Sequence, residues 1–486
     1  MRYSAPHSVK ILVAVCLAAG LPGIVSADTI YLKNGKKISA SHVVQKNGQV
    51  SYETSAGVLT LPASIVDKVI HEVESVNSAT AAQVDKAANL PIAPPNEFTR
   101  SSDDEITRAA VRNRSIDNTL LDKLESEANA NPTPTAIGHV VAAETAAAQF
   151  GISVGDFEQA AAHYNIGLRY APDNIGLLLE TAYFHLRRSE YSAALSLLDH
   201  ARRIEPDSPE VAKLSGWAYY GLNRNDDAVS EWKRALALKP DAEVQNALEK
   251  AQRDAQEEST YREGETLHFR LRYNGSAAPE LAREVLHTLE AEFDEISSTL
   301  NYVPPEPIGV ILYTNQTFVD ITRAPAWVGA LNDGRIRVPV EGLTSMTEEL
   351  ARVLKHELTH SFVGQKTGGR CPVWLQEGIA QYMEGKRSRS SAGTLYSAYE
   401  RHMEFSLASY ETSWMNLPKE IASSAYAWSL ATVEAIVTEE GMVSIERILD
   451  RIATQSATED ALHAVLHDSY ADLMQSTVQF LRKAYL

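Results

Sequence analysis

His356, Glu357 and His360 stand in the run His-Glu-Leu-Thr-His. On a helix, residues four apart leave the same face one turn apart, so both imidazoles can reach a single cation. Glu357 sits between them, angled toward whatever the rings hold. This is the zinc signature His-Glu-x-x-His. A second run, from Trp374 to Tyr382, carries Glu377. Two imidazoles and one carboxylate make the three-protein-ligand set of a catalytic zinc site, with the fourth position left for water. Zinc bound this way lowers the pKa of that water to ~7. Glu357 is then the base that takes the proton and passes it to a leaving amine.

Two elements must position these groups. Leu350, Val353, Leu354, Leu358 and Phe362 recur at helical spacing around the histidines, and Ser345 with Glu348 forms a capping box at the start. The Glu377 segment reads as a second helix, with Pro372 near its first turn and Gly385 just past its end.

The block Trp374-Leu375-Gln376-Glu377-Gly378-Ile379-Ala380-Gln381-Tyr382 resembles the second helix of the gluzincin metallopeptidases, in particular the peptidase MA-like family. The likeness runs from about residue 266 to 486 and is specific over the two motif helices. It implies an α+β, thermolysin-like metallopeptidase domain over 262–486 with a helical C-terminal part, acting on a peptide or protein substrate. It implies one zinc ion on His356, His360 and Glu377, with Glu357 as catalytic base. Such proteins usually place a tyrosine or histidine at the scissile carbonyl, and Tyr426 occupies that place in the pattern, although a tyrosine opening a buried helix is as often packing. They also pair an extended substrate with the sheet edge beside the metal helix. Arg335, Ile336, Arg337 and Val338, after the hairpin signal Asn332-Asp333-Gly334, are the candidate substrate-binding edge, with Pro339 ending it. One departure is Gln381, where those proteins often carry an acid that accepts a ring N–H from a liganding histidine; its amide oxygen is a weaker acceptor.

Further toward the N-terminus, Pro172, Pro206 and Pro240 fall 34 residues apart, each followed by aspartate. That is the period of the tetratricopeptide repeat. Small residues recur in phase at Ala148, Ala182 and Gly216 and again at Ala160, Ala194 and Ala228. The run resembles three repeats over 141–174, 175–208 and 209–242, with a capping helix to 256, forming an all-α solenoid that docks a protein partner. Trp217, Tyr219 and Tyr220 fit its core better than a ligand platform.

Ahead of the repeats, residues 28–71 alternate and turn like a small β-barrel of SH3-like type, with turn signals at Asn34-Gly35 and Asn47-Gly48 and a short helical turn at 62–66. Residues 72–135 read as an Ala-, Asn- and Pro-rich linker followed by helix. Arg2 and Lys10, an apolar run to Val25 and Val25-Ser26-Ala27 are the pattern of a signal peptide cleaved after Ala27. Gly20, Pro22 and Gly23 break that run, so stable membrane insertion is not expected. An exported, periplasmic or extracellular, protein follows as the expectation.

The fold class is thus multidomain α+β. The formal charge is −18, and −20 without the first 27 residues, so nucleic-acid binding is not expected. Cys371 is the one cysteine left beyond that leader, and it reads as a packed thiol. Residues 386–393 are Ser-rich and read as a flexible loop. The function these features support is an exported zinc peptidase with a docking array. The rival is an exported, non-catalytic repeat scaffold whose peptidase-like module is inactive.

Overall fold

In a computed structural model, the description covers the strands between residues 27 and 70 and residues 105–486, apart from breaks at 275–278, 316, 319–329, 341–342, 404–405, 413, 415–416 and 455. The proposed leader, most of the linker and the turn residues Asn34, Gly35, Asn47 and Gly48 lie outside it. The fold among the described residues is mostly helical, with two five-stranded sheets and one two-stranded hairpin. Among the described residues no helix is long and apolar enough to cross a membrane.

Residues up to Asn77 form one unit. Its strands are β1 (Ala27–Leu32), β2 (Lys37–Lys46), β3 (Gln49–Thr54), β4 (Gly57–Pro62) and β5 (Val66–Ile70). They form an antiparallel sheet in the order β4-β3-β2-β1-β5. The expectation of a closed barrel is corrected here: no ladder joins β4 to β5 among the described residues, so the sheet is open. Val66, expected in a helical turn, belongs to β5.

The second unit runs from Ser78 to the end. A helix at Glu105–Ala110, a two-residue hairpin of β6 (Val111–Arg112) and β7 (Ser115–Ile116), and a helix at Asn118–Ala130 lead into the repeats. The helix pairs are Pro134–Val154 with Phe157–Tyr170, Ile175–Arg187 with Tyr191–Ile204, and Pro209–Gly221 with Asn225–Leu238. Ala242–Glu258 caps the stack. Ala148, Ala160, Ala182, Ala194 and Ala228 are fully buried, because only a methyl fits where paired helices touch. Trp217 and Tyr220 are buried in the core of the stack.

The C-terminal sheet orders β11 (Leu331–Asn332), β12 (Arg335–Pro339), β10 (Ile308–Tyr313), β9 (Phe269–Tyr273) and β8 (Arg262–Glu265). β9, β10 and β12 are parallel, and β10 is buried on both faces, as a parallel central strand must be. Ile336 and Val338 face the core shared with the helix Pro279–Leu300 and the histidine helix Glu348–Thr367. Arg335 and Arg337 point the other way, toward the repeat cap.

On that side Lys250, Arg335 and Arg337 face Asp254, Glu258 and Asp333, all six side chains buried. Arg337 donates to both oxygens of Asp333 at 3.0 Å, and Lys250 Nζ lies 2.6 Å from Asp333. Arg335 also donates to Asn223 and Asn225 of the third repeat at 2.9 and 3.0 Å. Three cations against three anions, tied by hydrogen bonds, is the condition under which charges can be buried at all.

Candidate metal centre

The histidine helix begins at Thr347, whose hydroxyl accepts from Leu350 N at 3.1 Å, two residues later than the Ser345 box predicted. Leu354, Leu358 and Phe362 bury its apolar face and turn His356 and His360 toward the glutamate helix Val373–Met383. Trp374, Leu375 and Ile379 bury the inner face of that second helix. Gly378 lies against the helix Lys419–Glu440, and a Cβ there would fall 2.4 Å from Ser429 O. The missing side chain lets the two backbones meet and brings Tyr426, one turn before Ser429, to the site.

His356, His360 and Glu377 offer ligand atoms all within 4.8 Å of one another. Glu377 Oε2 is 3.3 Å from His356 Nε2 and 3.6 Å from His360 Nε2, and the two ring nitrogens are 3.1 Å apart. Atoms ~2.0–2.2 Å from a tetrahedral zinc stand roughly 3.3 Å from each other. The observed separations bracket that value. Glu377 Oε2 is buried without a hydrogen-bond partner among the described residues. A buried anionic oxygen left unpaired is costly unless a cation meets it. The residues fit a divalent ion.

The electrostatics agree. Burial opposes charge on His356, but the Glu377 and Glu384 carboxylates beside its two ring nitrogens, with the charge of Glu357, outweigh it and push the ring up to about 10. Burial, then the neighbouring His356 charge, push His360 down to about 4 against the pull of Glu377. Burial would raise Glu377, but His360, His356 and Lys386 hold it below its usual range. The cluster therefore favours one positive charge, on His356, and the two rings cannot both carry a proton. A metal cation satisfies the same demand from between them. Glu357 is buried and pushed up to about 7 by desolvation, with Glu377 and Glu384 adding and His356 opposing. A carboxyl near 7 can take and return a proton at neutral pH.

The remaining sequence candidates divide. Tyr426 is half-buried against the core, and its phenol is held protonated by desolvation and by the nearby Glu377 and Glu357 charges. Its ring packs edge-on against Trp414, centroids 5.0 Å apart. Gln381 does not reach a histidine; its Nε2 donates to Glu377 O at 3.2 Å and Tyr426 O at 3.0 Å. The substrate-edge assignment of Arg335, Ile336, Arg337 and Val338 is corrected: β12 is paired on both sides and these four side chains are buried. On this side the sheet ends, among the described residues, at β11, where Asn332 Nδ2 donates to Glu357 O and to Ser361 Oγ, both at 2.7 Å. Residues 386–393 are not a loose loop. Ser388 is buried, giving its N–H and hydroxyl to Glu434 at 2.7 and 2.6 Å. The Cys371 thiol is raised far above its usual value by burial and is not among the clustered groups.

Glu384 escaped the sequence reading. Its Oε1 lies 3.2 Å from His356 Nδ1 and 2.8 Å from Lys386 Nζ. The available signal was its spacing, seven residues or two turns past Glu377, on the same helix face.

Helices paired at a 34-residue period, ahead of a sheet and helical domain carrying this cluster, define a repeat protein joined to a metallopeptidase-like domain. Comparison with known families agrees. Residues 299–481 match the Peptidase MA superfamily, and residues 152–217 and 185–251 match the tetratricopeptide repeat. The chain carries a Peptidase MA superfamily domain and tetratricopeptide repeats. It is similar to the protein CTR9 homolog of Arabidopsis thaliana, 32% identical over 94 residues, which is 19% of this chain and only 9% of that protein. The first TPR domain of the human RPAP3 protein is 22% identical, covering 25% of this chain and 98% of that one, with a TM-score of 0.24. A mutant of MamA is 23% identical, covering 28% of this chain and 85% of that one, with a TM-score of 0.23.

Proposed function

We propose that this chain is an exported zinc-dependent peptidase whose repeats dock its protein substrate or a partner protein. The observation that carries the reading is the convergence of His356, His360 and Glu377 within 4.8 Å, with Glu357 buried beside them. His356, His360 and Glu377 would hold the zinc, which when bound supplies Lewis acidity and lowers the pKa of a coordinated water to ~7.

Glu357 takes a proton from the attacking water at its carboxylate and delivers it to the amine nitrogen released as the peptide C–N bond breaks. Asn332 keeps the backbone of Glu357 in place through the 2.7 Å bond to its carbonyl. Tyr426, held protonated, donates its hydroxyl to the oxygen on which charge develops. The small antiparallel sheet within 28–71 binds or positions peptide, and the first 27 residues are the export signal. Domain limits of 141–256 for the repeats and 262–486 for the peptidase complete the reading.

The test is zinc quantification on the wild type, His360→Ala and Glu357→Gln, paired with chelator-sensitive cleavage of a peptide library. Glu357→Gln should keep zinc and lose roughly 10²–10⁴-fold in cleavage rate. Unchanged cleavage by that variant sinks the assignment. A wild type that binds zinc and cleaves nothing leaves a repeat scaffold.

A further inference from the structure

His356 has two ring nitrogens, and only one can face a metal. Its Nε2 lies on the side of Glu377 Oε2 and His360 Nε2, at 3.3 and 3.1 Å. Its Nδ1 is therefore free to be held from behind, and the group behind it is the Glu384 carboxylate at 3.2 Å. Gln381, one turn past Glu377, spends its amide N–H groups on the carbonyls of Glu377 and Tyr426 and so ties two helices together. We infer that Glu384, not Gln381, is the residue that positions His356, fixing its Nδ1–H tautomer and aiming its Nε2 lone pair at the metal. The inference rests on the zinc reading above.

Three observations support it. The first is chemical: an ionised carboxylate only accepts, so it admits one tautomer of the ring, whereas an amide can present either a donor or an acceptor.

The second is rigidity. Glu384 is the residue at which the glutamate helix stops, and Gly385 follows in the left-handed region at φ +93°. Gly385 N donates to Tyr382 O at 3.1 Å and Lys386 N to Gln381 O at 3.0 Å. This pair of bonds is the Schellman closure. It sets the backbone of Glu384 and returns the chain so that Lys386 reaches the same carboxylate oxygen at 2.8 Å.

The third is burial with charge. The Glu384 side chain is 5% exposed, and Lys386 and His356 are its ion-pair partners. A carboxylate this covered keeps its charge only with such partners. By contrast, His360 Nδ1 is buried with no hydrogen-bond partner among the described residues. The two histidines are thus unequal: one ring is oriented by a carboxylate, the other by packing alone.

The experiment uses the full chain and two probes, Zn²⁺ by chelator competition and Co²⁺ by its visible absorption. Glu384→Ala should weaken zinc binding about 10- to 100-fold, the range for loss of a carboxylate behind a liganding histidine. The isosteric Glu384→Gln should weaken it about tenfold and shift the Co²⁺ bands, with its melting temperature close to wild type. Gln381→Ala should change zinc affinity by less than about threefold and leave the Co²⁺ bands in place. A Glu384→Gln protein with wild-type affinity and wild-type Co²⁺ spectrum overturns the positioning role alone. So does a Gln381→Ala protein that loses more affinity than Glu384→Gln. A wild type that binds no zinc more tightly than His356→Ala or Glu377→Ala overturns the metal site itself, and this inference with it.

Discussion

Arg337 of the peptidase sheet donates to Asp254 of the repeat cap at 2.9 Å, with both side chains buried. Asp254 accepts from Arg335 and from Tyr220 OH as well, so one carboxylate binds two sheet arginines to the repeat array. The repeats and the peptidase sheet therefore share one buried polar layer.

Removing that carboxylate should be costly. Asp254→Ala leaves Arg335 and Arg337 buried with one anion too few, and breaking a buried pair from one side costs about 3–5 kcal/mol. Urea unfolding should show the loss, and a wild-type midpoint would refute the shared layer.

The same layer sets an acid limit. Burial would raise Asp333, but Arg337, Lys250 and Arg335 outweigh it and hold it at about 2. Its folded value is depressed below the unfolded value of about 3.9, so the stability it contributes is fully present above pH ~4. That stability, about 2 kcal/mol, is lost as pH falls from ~4 toward 2. Unfolding free energy measured across that window should fall in the wild type, and a flat profile would contradict the depressed value.

Close contact at Gly378 makes a steric prediction. In Gly378→Ala the new methyl must displace Ser429 O, 2.4 Å away, and Val433 Cγ2, 2.6 Å away. Backbone cannot yield as a side chain can, so overpacking should cost about 1–3 kcal/mol or more. The helices of Glu377 and Tyr426 must part, so zinc content should fall along with the melting temperature. Normal zinc content at a normal melting temperature would show that the helices do not meet as described.

Tyr426→Phe removes only a hydroxyl. If that hydroxyl donates to a developing oxyanion, the variant should lose roughly 10²–10³-fold in kcat while binding zinc as the wild type does. Loss confined to thermal stability would assign Tyr426 to packing against Trp414.

Local pattern carried much of this. The four-residue spacing of His356 and His360, the glutamate between them and the 34-residue proline period are short-range regularities, and helix geometry converts them directly into faces and pairs. Neither the neighbours of Arg335 and Arg337 nor the roles of Gln381 and Glu384 could be read that way. Arg335 alternates with Ile336 as any half-exposed strand does, and only the repeat cap, some 80 residues earlier, converts its outer face into a buried one. Gln381 and Glu384 lie three residues apart on one helix, and which of them meets His356 depends on the angle between two helices and on the turn made by Gly385. Spacing along the chain says which groups can share a face. The packing of distant segments says what that face meets, because burial and charge pairing are settled between elements rather than within them.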